Sequence, residues 1–222
     1  MLSIGQIIIL PSPSVPIATG GNAAIPMMPI EAQIENVVSY STPLDGMWIL
    51  GEVKNEGDTP IANVQVEVTL MTAADAVVAT QTAWTATAVI SPNQTAPFAV
   101  LFPAHIDVHP VIAIVGGESV SDLGDRYVGL TAVNLTLEIV EEGVWVNGRL
   151  RNSGTLSATQ ISLTTTFYDA NGVITGYDYR LLGDGLLPAM EASFSFIAVP
   201  PGNNTTTLTI TAQGKSASRE PE

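Results

Sequence analysis

The sequence predicts an all-β protein built from two tandem immunoglobulin-like β-sandwiches that follow an extended N-terminal arm. Three observations support this fold class: a segment that recurs 97 residues later, alternation of apolar and polar residues in both copies, and turn-forming residues between the short alternating runs. No segment shows a convincing helical period. The 222 residues are enough for two domains of ordinary size.

The repeat is clearest where residues 48–57 align with residues 145–154. Four positions of this segment are identical in the two copies: Trp48 and Trp145, Gly51 and Gly148, Asn55 and Asn152, and Gly57 and Gly154. Further along the chain, Phe98 aligns with Phe194 at an offset of 96. Matches that stay in order over this distance indicate a duplicated structural unit.

Each copy shows the pattern of short strands joined by tight turns. Residues 64–70 and 161–167 alternate apolar and polar side chains with a period of two, as half-buried strands do. Asn-x-Gly at 55–57 and at 152–154 is turn chemistry, and Asn171-Gly172 predicts a hairpin turn. The repeat therefore divides the chain into an arm (1–26), a first sandwich (27–123), a second sandwich (124–214) and a polar tail (215–222).

The composition excludes several classes of function. Seven Lys and Arg against 21 Asp and Glu give a formal net charge of −14, which disfavours nucleic-acid partners and anionic membrane surfaces. Hydrophobic residues make up 46% and charged residues 13%, the opposite of the balance in disordered chains. The chain has no cysteine, and no apolar run approaches the roughly 20 residues of a transmembrane helix.

The second copy resembles the FxLYD family of bacterial extracytoplasmic domains. The resemblance is carried by residues 146–152, by Phe167-Tyr168-Asp169 with the turn that follows, and by Leu186-Leu187-Pro188 with Phe194. The first copy keeps residues 51–55 and Phe98, but Leu70-Met71-Thr72 replaces the aromatic signature, and Thr165 stands at the family's leading Phe. The resemblance implies an extracellular or cell-surface location and a structural or accessory role.

Candidate catalytic and metal-binding residues are few. His105 and His109 lie between Pro103 and Pro110, where a helix that would bring them together is disfavoured. No G-x-S-x-G nucleophile motif occurs. We therefore expect no catalytic residue, no metal site, no cofactor and no small-molecule substrate. Calcium at the joint, near Glu118, Asp122 and Asp125, is a weaker alternative to solvated acids.

The tryptophans and the N-x-[ST] sequons are candidate structural and surface positions. Trp48 and Trp145 occupy the same repeat position, which favours burial in equivalent places, whereas Trp84 has no aromatic counterpart. Surface glycosylation is possible at four asparagines if the host glycosylates: Asn93, Asn134, Asn203 and Asn204.

The arm carries the prediction about assembly. An apolar run of strand length contains Ile4, Ile7, Ile8, Ile9 and Leu10, and it has no partner in the repeat. An uncovered strand of this kind invites aggregation, so it must pair with a sheet. It either folds back on its own domain or adds to a neighbouring copy.

We therefore predict a structural, self-assembling surface protein, a homo-oligomer of head-to-tail copies that form a filament by donation of the arm strand. The alternative is a monomeric cell-envelope binding module that recognises a protein or a glycan.

Overall fold

The computed structural model describes residues 30–103, 107–183 and 185–216. These residues form fourteen β-strands in antiparallel sheets, which confirms the predicted all-β class. No helix long and apolar enough to cross a bilayer occurs in this part of the chain.

The first half of the chain forms two facing sheets. Sheet I has the order β1-β2-β6, and sheet II contains β4, β3 and β7, with the short β5 beside β4 on the same side of β3. The strand bounds are β1 Ala32–Ser41, β2 Gly46–Asn55, β3 Ile61–Thr72, β4 Val77–Trp84, β5 Val89–Ile90, β6 Thr95–Pro103 and β7 Val108–Ser119.

The second half repeats this arrangement. Sheet III has the order β9-β10-β13, and sheet IV has the order β12-β11-β14-β8. The strand bounds are β8 Arg126–Tyr127, β9 Leu130–Val140, β10 Gly143–Asn152, β11 Ala158–Tyr168, β12 Ile174–Leu182, β13 Glu191–Ala198 and β14 Thr207–Ser216.

Each pair of sheets encloses its own apolar core. Ile49, Val66, Val68, Leu70 and Phe98 belong to the first core and are fully buried or nearly so. The second core contains the repeat equivalents of several of them, including Val146, Leu163, Phe167 and Phe194. Alternation along each strand places these side chains on the inner face, as a sandwich requires. The immunoglobulin-like assignment and the domain bounds stay predictions.

The duplication extends to irregular features of the strands. Asn36 in β1 and Asn134 in β9 are both left-handed residues at a β-bulge, with φ of 56° and 53°. Asn63 in β3 and Gln160 in β11 mark a second pair of equivalent bulges. A bulge changes the direction of its strand, so its recurrence shows that the two halves share local geometry as well as strand order.

The repeated asparagine of the Asn-x-Gly turns lies inside each half. Asn55 and Asn152 are fully buried, and each side-chain amide donates two hydrogen bonds to backbone carbonyls. Each side-chain oxygen accepts the N–H of the glycine two residues later. The repeated motif is therefore an internal fastening as well as a turn.

The predicted burial of the two equivalent tryptophans is wrong. Trp48 is only half-buried and Trp145 is 40% exposed, although both occupy the third position of equivalent strands. Successive side chains of a strand point to opposite faces. The tryptophans stand an odd number of residues before the inward-facing Asn55 and Asn152, so they face outward.

Candidate functional site: covered and open sheet faces

The outer face of sheet I is covered by the second half of the chain. Leu50 and Glu52 alternate along β2 with the core residues Ile49 and Val53, and therefore point away from the first core. Even so, Leu50 is only 1% exposed and Glu52 only 3%. This outer face is thus an interface within the molecule.

Glu52 is held in this interface by three hydrogen bonds. Its Oε2 accepts from Asn36 Nδ2 at 2.8 Å, and its Oε1 accepts from Thr95 Oγ1 at 3.1 Å and from the Tyr168 hydroxyl at 2.7 Å. Tyr168 belongs to the second half. A buried carboxylate without hydrogen bonds would be costly, so these donors make its burial tolerable.

A second group of contacts, here called the clasp, joins the bulge at Asn36 to the β11–β12 turn. The side chain of Asn36 donates to the carbonyl of Gly172 at 3.0 Å and accepts from the N–H of Ile174 at 3.1 Å. The Tyr40 hydroxyl donates to the carbonyl of Ile174 at 2.8 Å. On the second half, the clasp uses only backbone groups.

The two halves also meet beside β5. The Gln213 side chain accepts from the N–H of Val89 at 3.1 Å and donates to the carbonyl of the same residue. Thr164 donates to the carbonyl of Ala86 at 3.1 Å. Contacts at separate places restrict the rotation of one half against the other.

Burial at the interface perturbs the tyrosines. Burial raises the pKa of Tyr168 to about 12, and the adjacent Glu52 carboxylate adds to the rise. Burial also raises the pKa of Tyr40 above its usual range, and Asp169 contributes in the same direction. The neutral hydroxyl is thus the form that the folded interface favours.

The raised pKa of Tyr168 predicts alkaline sensitivity. Its folded pKa lies above the unfolded value near 10, so its contribution is complete below about pH 10 and is lost as the pH rises through about 12. We expect the free energy of unfolding, measured in urea, to fall across this window, and less steeply in Tyr168→Phe. Tyr179→Phe, at a 43% exposed position, is the control. An unchanged slope in Tyr168→Phe would contradict the assignment.

The corresponding outer face of sheet III is open. Trp145, Asn147, Arg149 and Arg151 occupy the outward positions of β10 that correspond to Trp48, Leu50, Glu52 and Lys54. Trp145 pairs across the strands with Ile197, which is 43% exposed, and its indole N–H donates to Ser195 at 2.8 Å. Arg149 forms an exposed ion pair with Glu191. The face that is covered in the first half is thus solvated in the second.

The outer face and the edge of sheet II are open as well. Trp84, Val111 and Val115 point outward and are exposed. Within the described residues, β7 pairs with β3 on one side, and no strand occupies its other edge.

The residues predicted to form sites from sequence are scattered. The arm residues Ile4 to Leu10 and His105 lie outside the described residues, and His109 is exposed on β7. The four sequon asparagines Asn93, Asn134, Asn203 and Asn204 are all exposed.

The acids near the joint take part in separate contacts. Glu118 lies 3.5 Å from Arg126, and Asp125 lies 2.9 Å from Lys215. No group of three or more potential metal-ligating side chains occurs in the described ranges.

Sequence reasoning missed the interface residues Asn36, Glu52 and Tyr168. One signal was present. Glu52 and Arg149 have opposite charges at the same repeat position, in a segment that is otherwise closely matched. A charge reversal between matched strands indicates that their outer faces have different surroundings.

Comparison with known proteins places the chain in no family. No family model and no curated protein matches the sequence. A β-glucuronidase from glycoside hydrolase family 2 is 8% identical over 81% of the chain, with a TM-score of 0.21, and the chain spans 21% of its length. The N-terminal CBM22-1-CBM22-2 tandem domain from Paenibacillus barcinonensis Xyn10C is 12% identical over 80% of the chain and 74% of that domain pair, with a TM-score of 0.17. Likenesses this weak carry no argument about function.

Proposed function

We propose that this chain is a non-catalytic structural protein of the cell surface or extracellular space. In this proposal it assembles with copies of itself by adding the N-terminal strand of one copy to the β7 edge of another. The observation that carries the proposal is the open, apolar edge of β7. The surface location rests on the FxLYD resemblance.

The β7 edge has little protection against strand addition. The strand is twelve residues long, and residues 111–115 are Val-Ile-Ala-Ile-Val, with no charge among them. Pro110 is its only proline. Exposed edges of folded proteins usually carry charges, prolines or a covering element, because unpaired backbone groups otherwise attract another strand. An edge of this composition favours occupation by an added strand.

An apolar seam runs beneath the same edge. Ile112 and Ile114 face the first core from β7, and Ile34 faces it from β1, yet all three are only half-buried. A strand laid beside β7 would cover this seam while pairing its backbone with the edge. Both contributions require an apolar strand, and residues 4–10 supply one.

The edge of β14 is a poorer acceptor. β8 already pairs with it at Gly214 and Lys215. The outward positions along the rest of the strand are occupied by Thr207, Thr209 and Thr211, whose hydroxyls are well solvated in water. Residues 11–29, at about 3.1 Å per residue when extended, let residues 4–10 reach several tens of ångströms from Ile30. A β7 edge on another molecule is within that distance.

The absence of cysteine allows a direct cross-linking test. Ala113 on β7 and Thr82 on β4 both pair with Glu67, at the same register on opposite sides of β3. We expect Ile8→Cys chains mixed with Ala113→Cys chains to form a disulfide-linked dimer, and Ile7→Cys and Ile9→Cys test the other face of the strand. Chains carrying Thr82→Cys are the matched control and should form much less.

The outcomes separate the alternatives. Excess synthetic peptide of residues 3–11 should suppress the disulfide-linked dimer, because it competes for the edge. If the double variant Ile8→Cys/Ala113→Cys cross-links only within single chains, the arm folds back on its own domain and strand exchange is wrong. Absence of cross-linking together with a monomer at high concentration would favour the monomeric binding module.

A further inference from the structure

The clasp between the two halves has a second, unoccupied copy. Its acceptor is a left-handed bulge asparagine, and Asn134 repeats Asn36 in conformation and register. Asn134 is exposed, and no hydrogen bond engages its side chain within the described residues. The acceptor of the internal clasp is thus duplicated on the open face of sheet III.

The turn that enters the clasp is duplicated too. In the β11–β12 turn, the N–H of Asp169 donates to the carbonyl of Val173, and that of Gly172 donates to the carbonyl of Asp169. The β3–β4 turn repeats both bonds, from Thr72 to Ala76 and from Asp75 to Thr72.

The conformation of the two turns also agrees. Asp75 takes the left-handed position of Gly172, with φ of 58° and 78° respectively. Val77 stands where Ile174 stands, and it is 63% exposed. The turn of the first half therefore has the backbone shape that the clasp uses, and it is free.

Because the clasp engages backbone groups of the turn, the change of side chains between the turns does not remove it. Asn134 can donate to the carbonyl of Asp75 and accept from the N–H of Val77, as Asn36 does with Gly172 and Ile174. The internal turn already covers Asn36, so the free turn can meet a free Asn134 only by reaching a different site of the same kind.

We propose that the outer face of sheet III, centred on Asn134, docks the β3–β4 turn of a second copy of this chain. The inference rests on the proposed self-association, but it does not require strand addition at β7. The face and the turn are different surfaces of one molecule. A contact between them is therefore heterologous, and it repeats from head to tail unless it closes into a ring.

Charge and apolar surface agree with this partner. Asp75 and Arg149 would be close, because their equivalents Gly172 and Glu52 both contact Asn36. No Lys or Arg occurs between residues 55 and 125, so the docking half presents acids to the two arginines of β10. The exposed Trp145 and Ile197 on one side and Trp84 and Val111 on the other supply apolar area.

The copy departs from the internal clasp at one contact. Glu138 stands where Tyr40 stands, so the hydroxyl bond of Tyr40 to the turn carbonyl is not repeated. The external contact is therefore weaker than the internal one, as befits an association that depends on concentration.

Charge exchange tests the inference by sedimentation velocity on the full chain. Arg149→Asp alone and Asp75→Arg alone should each weaken self-association at least tenfold, because each places like charges together. An equimolar mixture should recover it, since every contact then joins opposite charges. Asn134→Ala should also weaken it at least tenfold, and Asn93→Ala, another exposed left-handed asparagine, should not.

Two results would overturn the inference. One is unchanged association in Asn134→Ala, and the other is a mixture that associates no better than the single variants. A change of Trp145 fluorescence on adding polysaccharide, without these effects, would assign the face to glycan binding instead. The Ile8→Cys to Ala113→Cys cross-link should persist in Asn134→Ala chains, so failure here is distinguishable from failure of the strand-addition proposal.

Discussion

Asn152→Ala is expected to lower the free energy of unfolding by about 3–5 kcal/mol. The Asn152 amide donates to the carbonyls of Leu156 and Leu186, both at 2.8 Å. Its oxygen accepts from Tyr127 at 2.6 Å and from the N–H of Gly154 at 3.1 Å. Alanine would leave these groups without their partner in a region closed to water, where each unsatisfied group costs about 1–3 kcal/mol.

The repeat provides a graded comparison for this substitution, measured by urea denaturation. Asn55 makes the same three backbone contacts but has no tyrosine partner, because Ile30 stands at the position of Tyr127. Asn55→Ala should therefore cost slightly less than Asn152→Ala. Asn203→Ala, at an exposed position, should change stability by less than about 0.5 kcal/mol. A loss below about 1 kcal/mol for Asn152→Ala would show that water or rearrangement replaces the fastening.

Gly148→Val is expected to destabilise the second half by about 3 kcal/mol. Gly148 pairs across the strands with Phe194, whose ring lies over the glycine. An added Cβ would come within 2.6 Å of Phe194 Cζ and 2.7 Å of Leu135 Cδ2. The ring would have to leave its position in the core, and a branched side chain aggravates the clash.

The control and the rescue distinguish overpacking from a general effect of losing a glycine. Gly183 has no atom within 4 Å of an added Cβ, so Gly183→Val should be nearly neutral. Phe194→Leu combined with Gly148→Val should lose less than the sum of the two single changes, because the smaller side chain vacates the space. Strict additivity would mean that the two residues do not compete for the same volume.

The fold class was predictable because alternation and turn chemistry are local properties of the sequence. Residues 64–70 and 161–167 form the strands that their period of two predicts. The repeat also placed Asn55, Asn152, Gly51 and Gly148 in equivalent positions. It did not give their roles, because a buried side-chain amide and an exposed turn residue have the same sequence motif.

The interface was not predictable for a physical reason. Leu50 and Glu52 are buried by residues more than 100 positions away, and no local pattern reports that distance. Outward-facing tryptophans were likewise mistaken for core residues, because hydrophobicity alone does not specify which face of a strand a side chain occupies. Counting strand parity from the buried asparagines would have corrected this.

The link between the halves has a mechanical consequence. Asn36 and Tyr40 hold the turn that precedes β12, while Gln213 holds Val89 at a separate place. Two attachment points apart from each other resist both bending and torsion, so the peptide around Gly124 does not act as a free hinge. Any fibre made of such subunits would inherit a defined angle at every second sandwich, and its stiffness would be set by the weaker contacts between chains.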